Sequence, residues 1–185
     1  MDFDIGKYRL ELKVDETYSF NSMDNNNHYQ KEYFDESEDD FPTRIGLKIF
    51  QKDQVISSAI IASVGGHSNI HQNSQIIKAE RILVTCSDSI FCLAIPDLQL
   101  IWKTQADQVT CFGIFAQENS YIVHGEIEIS KLDLNGKLIW QQSGEDIFIT
   151  DDGMNNFEIS YSYIKVTDWG NRVYKFDHDG NRITE

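Results

Sequence analysis

His67 and His71 stand four residues apart in His67-Ser-Asn-Ile-His71. On a helix that spacing would turn both imidazoles to one side and, with a third donor, could hold zinc for hydrolysis. Here the pair follows Gly65-Gly66 in a stretch of Ser and Asn with no Glu or Cys nearby. The expectation is therefore two solvated loop histidines and no metal, with a metal-dependent hydrolase the least favoured reading. Asp177-His-Asp-Gly-Asn181 starts like a calcium loop, but the sequence reaches Glu185 before the glutamate such a loop needs. Leu132-Asp-Leu-Asn-Gly136 resembles it without the first acid pair, and a type I′ turn would account for both. Asp151-Asp-Gly-Met-Asn-Asn156 is acidic and amide-rich without regular ligand spacing, as a surface turn would be.

Nucleophilic, phosphate and dinucleotide chemistry lack their signatures. There is no Gly-x-Ser-x-Gly elbow, no Walker loop and no Gly-x-Gly-x-x-Gly fingerprint. Cys92 and Cys111 lie in strand-like apolar contexts and read as core fillers. Paired carboxylates arise by chance in so acidic a chain and carry little weight. No catalytic residue and no cofactor are expected.

The elements that would carry any site are strands. Glu128-Ile-Ser-Lys-Leu-Asp-Leu-Asn-Gly-Lys-Leu-Ile-Trp140 aligns without a gap to Arg172-Val-Tyr-Lys-Phe-Asp-His-Asp-Gly-Asn-Arg-Ile-Thr184, and Ile90-Phe-Cys-Leu-Ala-Ile-Pro-Asp-Leu-Gln-Leu-Ile-Trp102 is a looser copy. Spacings of 38 residues (Trp102 to Trp140) and 44 (Gly136 to Gly180) are those of stacked β units, each a strand, a tight turn and a returning strand. Residues 6–20 alternate, with Tyr8, Leu10, Leu12 and Val14 on one face. Strands are also expected at 45–50, 55–64, 75–79, 81–86, 109–115, 120–124, 146–150 and 157–166. The whole chain, 1–185, reads as a single all-β domain of antiparallel hairpin repeats, with the repeats over 82–185.

This repeat resembles the β-propeller families of quinoprotein and WD type, in which a blade strand ends in a turn like Leu132–Gly136 and the next in an aromatic like Trp140. The resemblance covers residues 82–184. It implies a small or incomplete propeller-like arrangement, at about 40 residues per unit, or an open stack closed by Arg9–Val14 pairing back. Thr184 in the place of Trp140 marks the third copy as a capping unit. The resemblance brings no quinone or calcium pocket with it.

The chain carries 30 acidic residues against 16 Lys and Arg, a formal charge of −14. Such a field repels nucleic-acid phosphates and draws a basic partner. Residues 1–41 hold 12 of the acids and only 4 of the bases. Within them 21–41 contains almost no aliphatic residue and ends in an acidic run, which reads as a loop or poorly ordered insertion with a short helix possible across Tyr29–Glu38. No secretory signal, no membrane-spanning run and an odd cysteine count lead to a cytoplasmic expectation.

A small, acidic, cytoplasmic β protein without catalytic signatures is similar in profile to bacterial immunity proteins that neutralise nuclease toxins. On that reading Glu32, Asp35, Glu36, Glu38, Asp39 and Asp40 mimic a phosphate track in the cleft of a basic toxin. Tyr29, Tyr33 and Phe34 then supply apolar anchors. Trp169, in the turn Thr167-Asp-Trp-Gly-Asn171, either packs over a sheet edge or is a further anchor. The alternative is a propeller-like scaffold or sensor with an unrelated partner.

Overall fold

The computed structural model describes residues 1–34, 41–150 and 156–184, and within them the regular structure is all strand. Sheet one contains β1 (Asp2–Ile5), β2 (Tyr8–Val14), β3 (Lys31–Tyr33), β4 (Thr43–Gln51) and β5 (Gln54–Ser63), in the order β1-β2-β4-β5-β3. Sheet two is β6 (Gln75–Lys78), β7 (Arg81–Cys86), β8 (Ser89–Ala94) and β9 (Leu100–Gln105) in sequence order. Sheet three is β10 (Cys111–Ala116), β11 (Ser120–Gly125), β12 (Glu128–Asp133) and β13 (Leu138–Ser143). Sheet four has three strands, β14 (Phe157–Ile159), β15 (Ile164–Thr167) and β16 (Val173–Phe176). Every pairing is antiparallel except that of β3 with β5.

Alternation along the central strands explains the stacking. In β7, Ile82, Val84 and Cys86 enter a core shared with Leu10, Leu12, Ile45, Leu47 and Ile61 of sheet one. Leu83, on the opposite face, enters a second core with Ile114, Val123 and Leu132 of sheet three. A strand covered on both faces reads as a continuous apolar run, which is why Ile82-Leu-Val-Thr-Cys86 lacks a polar face. The third core joins Ile122 and Ile129 of sheet three to Ile164, Val166, Tyr174 and Phe176 of sheet four. Each fully buried aliphatic side chain in these layers contributes about 1.5–3 kcal/mol. Four sheets share three cores, and among the described residues no apolar cluster joins sheet four to sheet one. The arrangement is an incomplete, unclosed propeller-like stack. β2 pairs with β1 and β4 inside its own sheet and does not return to close the ring.

An open stack leaves two outer faces, and each is finished differently. On sheet four Glu158, Lys165 and Lys175 form a cross-strand row, with Lys165 Nζ 3.7 Å from Glu158 Oε2 and Lys175 Nζ over the Tyr163 ring. On sheet one the segment 15–34 folds back as a cover. Asp15, 7% exposed, accepts hydrogen bonds from Thr17, Asn27 and Tyr29, and the Tyr29 ring lies where a Gly46 side chain would be. Gln30 and Ser58 exchange two hydrogen bonds, while Phe34 packs on Phe20 and Phe41. Instead of a helix starting at Tyr29, Lys31–Tyr33 is a strand, because the backbone of β5 offers it a free edge.

The repeat turns also differ in type from expectation. A type I′ turn needs φ > 0 at both central residues. In Asp133–Gly136 and Asp177–Gly180 only the glycines have it, at +81° and +86°. The acid at the first position holds the turn instead: Asp133 Oδ1 accepts from the Asn135 and Lys137 N–H groups, and Asp177 Oδ1 from those of Asp179 and Asn181. Paired positive φ values occur at Lys52-Asp53 and Ala79-Glu80, without glycine.

Candidate functional site

The returning strands of the first two repeats each contain an Ile-Trp pair, and a β-bulge falls at the isoleucine. In sheet two the pairing passes from Cys92↔Trp102 to Leu93↔Leu100, leaving Ile101 unpaired. In sheet three it passes from Lys131↔Trp140 to Leu132↔Leu138, leaving Ile139 unpaired. One extra residue inverts the parity of the strand. Leu100 thus packs in the first core and Trp102, two residues on, in the second. The expelled isoleucines face solvent, 42% exposed at Ile101 and 53% at Ile139. The third unit begins the same way: Phe176 bridges Arg182, Ile183 N–H donates to Lys175 O, and Ile183 is 40% exposed.

The tryptophans are used inward. A Cβ on Gly136 would strike the Trp102 ring, and one on Gly180 would lie 2.8 Å from that of Trp140. Each turn glycine is therefore required twice, by its positive φ and by the indole of the preceding sheet. Trp140 Nε1 also donates to His178 O at 3.2 Å. Sheet one reaches its neighbour differently. Tyr33 of β3 donates its hydroxyl to Leu98 O and accepts from Leu100 N–H, both at 3.1 Å, and Leu98 takes the left-handed turn position at φ +55°.

These contacts locate the residues singled out in the sequence. Tyr29 and Tyr33 both use their hydroxyls internally, and burial pushes the Tyr29 phenol up, reinforced by its bond to Asp15. Glu32 is exposed but accepts from Tyr18 at 2.6 Å; burial first, and then this bond, raise the Tyr18 phenol to about 12. Phe34 is 37% exposed at the lip of its aromatic cluster. Asp35, Glu36, Glu38, Asp39 and Asp40 lie outside the described residues, as do 151–155 of the second acidic turn. Trp169 is 51% exposed on the β15–β16 turn. That turn is pinned by Asp168, fully buried, which accepts from Arg172 N–H, Arg172 Nη1 and Tyr174 Oη; these bonds outweigh burial and hold its carboxyl below the usual range.

His71 Nδ1 accepts from Asn73 N–H, so its Nε2–H is the group that donates to Phe112 O at 2.8 Å. Both nitrogens are thereby occupied in a loop clasp, and among the described residues no three His, Cys, Asp or Glu side chains converge as metal ligands. Cys86, Cys92 and Cys111 are buried and form no disulfide, and burial raises the Cys92 thiol to about 11.

A histidine not singled out in the sequence is the more unusual one. His124 of β11 is 7% exposed and stacks on Phe157 at 4.4 Å with the planes 6° apart. Burial lowers it to about 4 against a backbone hydrogen bond at Phe148. Among the described residues its Nε2 is buried without a partner, so that bond belongs to Nδ1–H and Nε2 is an acceptor. It borders a cavity of about 320 Å³ lined by Phe112, Phe115, the loop at His71 and Asn73, and Phe148–Thr150. The signal in the sequence was a histidine closing the apolar run Tyr121-Ile-Val-His124.

The fold and its repeated edge place the chain in the class of propeller-like repeat proteins. It is similar to the computationally designed Ika8 protein with a TM-score of 0.51 and 12% identity, over 80% of this chain and 46% of that one. Weaker likenesses are to the Pan2 WD40 domain of Neurospora crassa (TM-score 0.47, 14% identity, 60% of this chain and 36% of that one) and to BamB from Moraxella catarrhalis (0.45, 12%, 77% and 60%). The chain thus spans less than two thirds of each. These likenesses concern fold alone. No protein-family model and no curated protein matches the sequence.

Proposed function

We propose that this chain is a non-catalytic protein-interaction scaffold whose contact surface is the row of isoleucines Ile101, Ile139 and Ile183. The observation that carries this reading is their repetition. One exposed isoleucine is ordinary, but the same residue at the same register of three successive units is a patterned surface. Bulges blunt the edges of β9 and β13 against strand addition, so a partner would meet side chains rather than extend a sheet. The charge of −14 favours a basic partner and speeds its encounter.

The finer reading is that the partner is a basic nuclease-type toxin whose cleft this chain blocks in the cytoplasm. Its support is the charge and the concentration of acids in residues 1–41. With Tyr29 and Tyr33 engaged internally, Phe34, Trp169 and the isoleucine row supply the apolar contacts, and Glu32 with Asp35–Asp40 the charge.

A photo-crosslinking residue at position 139, used in lysate of the source cells, tests the surface. Capture of one basic protein that is lost in Ile101→Lys/Ile139→Lys supports the scaffold; equal capture by that variant contradicts it. Titration of the captured protein's nuclease activity to zero at one equivalent supports the inhibitor reading, and full activity in the complex removes it.

A further inference from the structure

Sheet one ends in an edge that the described residues leave open. Met1 and Leu12 exchange hydrogen bonds of 2.7 and 2.8 Å, and the β1–β2 register runs from there to Ile5↔Tyr8 without a bulge. Bonded and non-bonded positions alternate along an antiparallel ladder, so Phe3 and Ile5 also bond β2. The N–H and C=O groups of Asp2 and Asp4 then point away from it. None of these four groups has a partner among the described residues, β1 is the end strand of its sheet, and both aspartates are exposed.

The side chains select what can pair there. Phe3 and Ile5 pack on the first core, which leaves Asp2 and Asp4 on the other face. Arg9 lies opposite Asp4 in the ladder, yet its guanidinium bonds Asp2 at 2.8 Å and stands 3.9 Å from Glu11. The Asp4 carboxylate has no ion pair or hydrogen bond among the described residues. A second copy, paired antiparallel, would set these aspartates against each other, and like charges directly opposite are destabilising. A basic strand would instead bring a Lys or Arg to within about 5 Å of each carboxylate. Arg9 is one strand further from such a base, at roughly 10 Å. The Met1 amine is turned to Leu12 O, and Lys7 and Lys52 lie at the turns beyond Ile5. The nearest charges to an added strand are therefore the two acids.

We propose that the open edge of β1 takes up an extended basic segment of a partner protein as an added strand. The segment's backbone bonds Asp2 and Asp4, and its alternate Lys or Arg side chains pair with their carboxylates. This surface involves neither β9 nor β13 and does not rest on the isoleucine reading.

The probe is a capped octapeptide of alternating Lys and Val, added while amide hydrogen exchange is followed by NMR. At saturation the Asp2 and Asp4 amides are expected to exchange at least ~10-fold more slowly than in the free protein. The same peptide N-methylated at its lysine backbone nitrogens keeps the charge and loses the donors, and is expected to bind at least ~10-fold more weakly. Asp4→Lys, an exposed substitution, should weaken the unmodified peptide by a similar factor and leave the unfolding midpoint unchanged. Absence of protection up to ~1 mM peptide overturns the proposal. Equal affinity for the N-methylated peptide, or unaltered binding by folded Asp4→Lys, overturns it as well. Protection of the two amides in the protein alone, rising with its concentration, would assign the edge to a second copy and likewise overturn it.

Discussion

The two sides of strands β9 and β13 carry neighbouring residues with opposite duties. Trp102 and Trp140 turn inward and sit on the glycine turns of the following sheets, so their size and position are dictated by the fold. Ile101 and Ile139, one residue earlier, are pushed out by the bulge and touch little that the fold needs. A single unpaired residue thus separates a structural row from a presented one. The difference teaches where tolerance lies: substitutions on the inner row should cost stability, and substitutions on the outer row should cost binding.

The sharpest break is expected at Gly136→Ala. The added methyl strikes the Trp102 ring and forces an alanine to φ +81°, and the expected loss is about 3 kcal/mol or more in chemical denaturation. The inner side makes a second demand through His124. As pH falls below the ordinary 6.5 the unfolded ring takes a proton, whereas the folded ring does not until about 4. The unfolded state binds more protons in that window, so stability is expected to fall by about 3 kcal/mol between pH 7 and pH 4. His124→Phe should remove this component, and the difference between the two pH profiles measures it free of the carboxylates.

The first junction sharpens the comparison because it uses a tyrosine in place of a tryptophan. Tyr33→Phe keeps the ring and removes the hydroxyl that serves Leu98 O and Leu100 N–H, with an expected cost of about 1–2 kcal/mol in thermal unfolding. The outer side should be nearly silent. Ile139→Lys is expected to change stability by no more than about 1 kcal/mol, and Lys165→Ala on the exposed row of sheet four by about 0.5 kcal/mol at most.

Much of this architecture was legible before any coordinates. The strand–turn–strand repeat over 82–184, the buried run Ile82–Cys86 and the half-buried face of Tyr8, Leu10 and Leu12 all follow from alternation and turn chemistry. The Ile-Trp pair was legible only as a repeated word. Strict period-two reading assigns faces by parity, and a bulge inverts parity without leaving a distinctive residue behind. The first copy misled in a related way, since Leu93 to Leu100 spans seven positions where Leu132 to Leu138 spans six. The looser copy therefore holds one more residue in its turn than the second copy does. Tyr29 and Tyr33 looked like exposed anchors because their segment is polar and acidic; their partners, Gly46 and Leu98, lie far along the chain. His124 was hidden for the same reason, as its stacking partner Phe157 belongs to the next sheet.

The most direct test of the outer row is calorimetric titration of the crosslinked partner, once purified, into wild type and Ile101→Lys/Ile139→Lys at matched unfolding midpoints. The account predicts at least ~100-fold weaker binding by the variant, as expected when two central apolar contacts are lost. Unchanged affinity in a fully folded variant would contradict it and move the contact surface away from the bulged strands.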